Sequence, residues 1–215
     1  MADTNVLSLE QRVYSVLEEE ILTGKLERGT QLRESALAAR LDASRTPVRG
    51  ALHRLAEEGL VELCANKGAT VVGIANEDIE DIYAIRMHLE GLAAKLAAER
   101  MNDEHRRALT SSVELSEFYL SRNAEEKCGE LDSEFHSIIF NSCGSRMLCK
   151  ILSDLHKNIK AYRKVSLSDS ERAYRSVEEH KKILGAILER NGDEAERLTV
   201  IHLSEALKNL KEKIN

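Results

Sequence analysis

The sequence holds one proline, no tryptophan and few aromatic side chains, 4% of its 215 residues. That scarcity speaks against a large β-sandwich, whose strands are rich in aromatic residues. The four cysteines, Cys64, Cys128, Cys143 and Cys149, form no CxxC pair. The segment from Met1 to Leu9 lacks a basic stretch followed by an apolar one, so no secretory signal is visible. The expectation is a cytoplasmic chain with reduced thiols and no disulfide scaffold. No apolar run approaches the ~18–20 residues needed to span a bilayer, and no membrane partner is expected. What is abundant is Leu, Ala, Glu, Lys and Arg, all good helix formers. With 42% hydrophobic and 32% charged residues, the chain reads as a mainly α globular protein of one or two domains.

Net charge is −6, which alone argues weakly against nucleic-acid binding. Placement matters more than the total. Between Arg28 and Arg54 stand six arginines (28, 33, 40, 45, 49 and 54) against Glu34 and Asp42, a window of +4 inside an acidic protein.

Around that window the pattern is a winged helix-turn-helix, three helices plus a small β-wing. Val13, Val16, Leu17 and Ile21 recur at helical spacing, and Gly24 is placed to stop that helix. Leu26 to Leu32 holds a turn. A second helix covers about Glu34 to Leu41, with Leu37, Ala38 and Leu41 facing inward. Asp42-Ala43-Ser44 turns into a third, capped by Ser44 or Thr46, with Pro47 in its first turn. Beyond Gly59, Leu60 to Leu63 and Thr70 to Val72 read as short strands around the loop Ala65-Asn66-Lys67-Gly68. Val48, Leu52 and Leu55 form the buried stripe of the third helix, while Arg45, Arg49 and His53 recur every four residues on another face. Two arginines a turn apart near a helix N-terminus can grip guanine edges in the major groove. Thr46 and the helix amides can hold phosphate, and Lys67 can reach backbone or minor groove. An isolated Arg-x-x-x-Arg is more often a solvated face; the surrounding helices, tight turn and wing favour DNA.

The stretch from Leu32 to Val72, with the core Ser44-Arg45-Thr46-Pro47-Val48-Arg49 and the later Glu58-Gly59-Leu60-Val61, resembles the DNA-binding head of GntR-type bacterial transcription regulators. The likeness extends over most of residues 9–74. It implies Arg33, Arg45, Thr46, Arg49, Lys67 and Gly68 as the DNA contacts, and double-stranded operator DNA as a partner.

The remainder, residues 76–215 against 1–75 for the head, reads as an all-α antiparallel bundle of about six helices. Asn76 can cap a helix to about Met101, with Ile79, Ile82, Leu89 and Leu92 among its apolar positions. Others are expected near 103–121, 125–142, 145–165, 169–190 and 193–213. Asn191-Gly192-Asp193 reads as a break in which Gly ends one helix and Asp caps the next. Ile74 to Glu77 is the expected joint.

Asp132 and His136 lie four apart, so both occupy one helix face. His180 and His202 sit among apolar residues on two further helices. One carboxylate and three imidazoles on three helices can converge on a divalent cation, with no thiolate in the set. Zinc, nickel, manganese or iron would be suited, with positions open to water or an effector carboxylate. Buried histidines are more often hydrogen-bonded core, and Asp-x-x-x-His is common in helices. Tyr83-Ala84-Ile85-Arg86, Leu89-Glu90, Asp132 to His136, Glu179-His180 and His202-Leu203, however, resemble the FCD effector domain of FadR-type GntR regulators. That resemblance implies a divalent metal on Asp132, His136, His180 and His202. It also implies a homodimer and a small organic acid as effector. Ser145 stands where the family often has Asn, which puts one polar effector contact in doubt. Arg86, one turn before Glu90, is either half of an intrahelical ion pair or an effector-gripping guanidinium.

The sequence thus predicts a metabolite-responsive regulator, a repressor more than an activator, that binds a palindromic operator as a dimer. Coupling is expected to run through residues 74–77 and the helix after them. A direct metal sensor is the alternative, and a metalloenzyme a more distant one. No general base stands outside the ligand set, since Glu134 points away from Asp132 and His136.

Overall fold

The computed structural model describes residues 8–22, 24–64, 68–72, 78–122, 124, 127–167 and 169–214. The chain separates into two compact units, residues 1–78 and 79–215.

The first unit opens with α1 (Leu9–Leu22), whose Val13, Tyr14, Leu17 and Ile21 are buried. Gly24 ends it in the left-handed backbone region, at φ +76°. A two-residue strand β1 (Gln31–Leu32) precedes α2 (Glu34–Arg40) and α3 (Arg45–Glu57). Asp42 makes the α2–α3 turn at φ +47°, a conformation Asp tolerates better than most side chains. In α2 Leu37 alone is buried; Ala38 and Leu41 are half-buried. Ser44 occupies the cap position of α3 with extended backbone, but its side chain makes no capping bond. Val48, Ala51, Leu52 and Leu55 of α3 pack on α1. Strands β2 (Val61–Cys64) and β3 (Gly68–Val71) follow, and the antiparallel sheet runs β1-β3-β2, with Val61 opposite Val71 and Gln31 opposite Thr70. Strand β1 falls where the sequence predicts only a turn, because two residues carry no alternation to detect.

The second unit contains α4 (Ile79–Arg100), α5 (Asp103–Leu120), α6 (Cys128–Ser142), α7 (Arg146–Asn158), α8 (Lys160–Leu167), α9 (Ser170–Leu188) and α10 (Gly192–Ile214). Its core joins Ala93, Ala94, Ala97 and Ala98 of α4 to Phe135, Ile139 and Phe140 of α6 and to Ile183 and Ile187 of α9. Small side chains let α10 lie close along α4. Leu92, an apolar position, stands exposed on the opposite face.

Two details depart from the expected bundle. The single helix expected near 145–165 is interrupted at Ile159, which is itself buried. The interruption lets α7 cover α4 and α6 while α8 turns onto α10, which one straight rod does not do. At 191–193 the roles also differ. Arg190 takes the left-handed conformation (φ +58°) that ends α9, Asn191 Oδ1 accepts from the Glu194 amide, and Gly192 is the first residue of α10. A Cβ at Gly192 would come within 3.0 Å of the Lys95 side chain, so glycine there serves helix contact. The cap expected from Asn76 and the joint at 74–77 lie outside the described residues.

Candidate functional site

In the first unit, α3 presents Arg45, Thr46, Arg49 and His53 to solvent, with Arg33 exposed just before α2. Arg33 and Arg45 have no ion-pair partner among the described residues. Arg49 does: its Nε and Nη2 donate to the two carboxylate oxygens of Glu34, each at 2.9 Å. That hydrogen bond holds the Glu34 carboxyl below its ordinary range, against a smaller opposing effect of burial. Two other arginines of the basic window are engaged by side chains of the same unit. Arg40 donates to both oxygens of Glu20, and Arg54 lies over the Tyr14 ring at 4.0 Å.

Gly68 begins β3 at φ +93°, and a Cβ there would collide with the Leu32 carbonyl oxygen. The β1–β3 pairing therefore requires glycine at this position, whatever the wing touches. Lys67 lies outside the described residues.

In the second unit, α6 contributes Asp132 and His136, α9 His180 and α10 His202; all four are buried. One ligating atom from each lies within 4.8 Å of all the others. The surroundings show which atoms face the centre. His136 Nδ1 lies 2.9 Å from Glu90, and His202 Nδ1 lies 2.7 Å from Glu179. A carboxylate only accepts, so both Nδ1 atoms carry the proton and both Nε2 atoms offer a lone pair. Those two Nε2 atoms face each other at 3.3 Å. His180 Nε2 stands 3.5 Å from Asp132 Oδ1 and has no hydrogen-bond partner among the described residues. Two inward lone pairs, an unpartnered imidazole nitrogen and a carboxylate around one point make a donor-rich centre that a cation would satisfy. The donor set, three neutral nitrogens and one oxygen, thus fits a borderline divalent ion.

Electrostatics point the same way. Burial, then the neighbouring His202, pushes His180 well below its ordinary value; burial, then His136, does so for His202. Burial would raise Asp132, but Arg163 and the three imidazoles outweigh it and hold the carboxyl low. Neutral imidazole and ionised carboxylate are the ligating forms.

Several partners in this cluster were not legible in the sequence. Arg163 of α8 places Nε 3.0 Å from Asp132 Oδ2 and donates to Ser133 Oγ at 2.9 Å. Arg172 of α9 donates to both oxygens of Glu179. Glu90 accepts from Arg86 at 2.6 Å and lies 3.1 Å from His156 Nε2. Glu90, His136 and His156 also lie close together, yet Arg86 and Arg163 press two positive charges on that trio, which makes it poor ground for a second cation. Of these pairings the sequence offered only Arg86–Glu90, one turn apart on α4; Arg172 and Glu179 share α9 at a separation of seven, and the others cross between helices.

Of the two alternatives the sequence left open for Arg86, the intrahelical ion pair is present. Its ion pair with Glu90 is 2% and 1% exposed, and it lines a cavity of about 20 Å3 beside Asp132, His136 and His202. Arg163 and Arg172 line it too. Ser145 does not; its Oγ accepts from the Leu148 amide at the start of α7. Glu134 is exposed, as its helical position requires. No helix among the described residues is long and apolar enough to cross a membrane.

Comparison with known proteins accords with this division. The family model for bacterial regulatory proteins of the gntR family matches residues 9–71, and that for the FCD domain matches residues 81–205. The Nta operon transcriptional regulator of Aminobacter aminovorans is 31% identical over 180 residues, 81% of each chain. The HTH-type transcriptional repressor RspR of Escherichia coli K12 is 25% identical over 197 residues, 92% of this chain and 86% of RspR. Among solved structures, E. coli McbR/YncC superposes with a TM-score of 0.67 at 21% identity, covering 98% of this chain and 100% of that one, a likeness of fold. The chain belongs to the GntR family of bacterial regulatory proteins, in the group that carries an FCD domain, and is a transcription regulator rather than an enzyme.

Proposed function

We propose that this regulator is a cytoplasmic, metal-dependent, metabolite-responsive repressor that binds a palindromic operator as a homodimer. The observation that carries the reading is the buried quartet Asp132, His136, His180 and His202, three imidazole nitrogens and a carboxylate oxygen around one point, next to an arginine-lined cavity. Zinc suits the donor set best, with nickel, manganese or iron as other occupants. When bound, the ion would supply a fixed positive charge with positions open to a carboxylate. Arg86 would hold that carboxylate from its other side. On the DNA side, Arg33 before α2 and Arg45 and Thr46 on α3 are exposed for contact, with Arg49 one turn after Arg45. A single head reads too few base pairs for useful specificity, which supports a dimer on a two-fold operator. The sign of regulation follows the relative named a repressor.

Regulation requires that the effector favour one arrangement of the DNA-reading heads over another. The test is elemental analysis of the purified full chain, together with selection of genomic fragments and titration of the selected fragment with candidate organic acids. One divalent ion per chain and an acid-dependent change in operator affinity support the proposal. Equal affinity with and without bound effector refutes it.

A second reading, that the ion itself is the signal, is favoured by the small size of the cavity. Operator binding that changes with metal alone, with no organic ligand, would establish it instead.

A further inference from the structure

The cavity beside the quartet has an unusual charge inventory. Three guanidiniums line it, Arg86, Arg163 and Arg172, each 6% exposed or less. Each is matched by one carboxylate: Arg86 by Glu90 at 2.6 Å, Arg163 by Asp132 at 3.0 Å, and Arg172 by Glu179 at 2.9 Å. Among the described residues that line it, there is no lysine and no carboxylate other than Asp132. The imidazoles that ligate a cation do so unprotonated. The protein part of the site is therefore electrically balanced before any ion enters. A divalent cation adds two positive charges to a buried interior where no described lining side chain is left to offset them, and uncompensated buried charge is costly.

From this balance we infer that the effector is a compact dianion, taken up by the metal-loaded site and held by Arg172 in addition to Arg86. The inference rests on the metal-dependent reading above. A monoanion leaves one charge uncompensated; a dianion leaves none. Arg172 is singled out because its two terminal nitrogens are spent on Glu179 while its Nε has no hydrogen-bond partner among the described residues. Arg163, by contrast, already spends its nitrogens on Asp132, Ser133 and His156. A volume of about 20 Å3 holds one or two waters, so the ligand is small and its entry displaces lining side chains. The shared chemistry is two negative charges within a few ångströms, as in a short dicarboxylate or a tetrahedral oxyanion.

The experiment is calorimetric titration of the metal-loaded full chain with malonate, propionate and sulfate, metal content being measured before and after. Malonate and propionate have the same carbon count and differ by one carboxylate. The expected result is malonate at least about tenfold tighter than propionate, a difference well within that of one added charge in a poorly solvated site. Sulfate binding alongside malonate assigns recognition to charge alone, and malonate alone assigns it to dicarboxylate shape; either supports the dianion. Arg172→Gln should lose most of the discrimination, and Arg172→Lys should keep it. Equal malonate and propionate affinity at one metal per chain overturns the inference and leaves the metal reading intact. Absence of metal from the purified chain overturns the metal reading and the dianion with it. The malonate–propionate comparison on the natural chain stands even if the Arg172→Gln variant does not fold.

Discussion

Single side chains decide which histidines can serve a cation. His136 and His202 are each turned by a carboxylate, Glu90 and Glu179, that fixes the proton on Nδ1 and bares Nε2. If the metal reading holds, Glu179→Ala should weaken metal affinity about 10- to 100-fold with the fold preserved, as competition with a chromogenic chelator would register. On the reading helix, Glu34 ties down Arg49 and subtracts a positive charge from the face meant for DNA. Glu34→Ala should raise non-specific DNA affinity and steepen its log–log salt dependence by about one, the value of one added phosphate contact. An unchanged slope would mean that Arg49 does not reach phosphate. A third group, Glu20, gives a pH dependence. Burial raises its pKa, but Arg40 and Lys25 outweigh burial and depress it below the ordinary 4.5. A depressed carboxyl stabilises the fold above its unfolded-state pKa, and the gain is lost as pH falls toward the folded value. Thermal melts of the first unit should therefore lose stability as pH falls below Glu20's ordinary 4.5, a modest loss because both cations reach solvent. Glu20→Gln should flatten that part of the profile.

Helices and strands carry the next set of constraints. Periodicity alone locates α1, α2 and α3, because one buried stripe per helix repeats every three or four residues. The same rule finds β2 and β3 but passes over β1, whose existence depends on Gly68 admitting the Leu32 carbonyl. Gly68→Ala should cost more than about 2 kcal/mol, through its positive φ and the backbone clash together. A chemical-denaturation midpoint unchanged from the parent would show that β1 pairing contributes nothing. The interruption between α7 and α8 was likewise invisible, since Ile159 is apolar and sits in helix-compatible sequence. Its effect is to let Arg163 reach Asp132, a contact between residues 31 positions apart.

For the molecule entire, the two compact units make separate predictions. The ion, if present, binds only the second unit, so chelation should lower the melting transition of the helical unit and leave that of the winged head in place. Differential scanning calorimetry with and without a strong chelator resolves the two. A uniform shift of both, or none, would contradict a structural role for the ion in the helical unit. The acidic total charge and the basic local window also coexist because the units are distinct. Arg40 and Arg54, however, serve the fold of the head, so fewer cations than the count implies are left for DNA.

Spacing along one helix is a local property, and it carried what depends on one helix: the exposed row Arg45, Arg49 and His53, the Asp132–His136 face, and the mainly helical class. Their apolar neighbours picked out His180 and His202 on two further helices, and resemblance marked the four together as a metal set. What spacing does not encode is which faces meet. Glu90 beside His136, Glu179 beside His202, Arg163 on Asp132 and Glu34 on Arg49 all join different elements. Their contact depends on how α4, α6, α8, α9 and α10 pack, and in the head on how α2 lies against α3. Packing is cooperative and long-range, so the charge balance of the cavity emerged only when those helices were seen together.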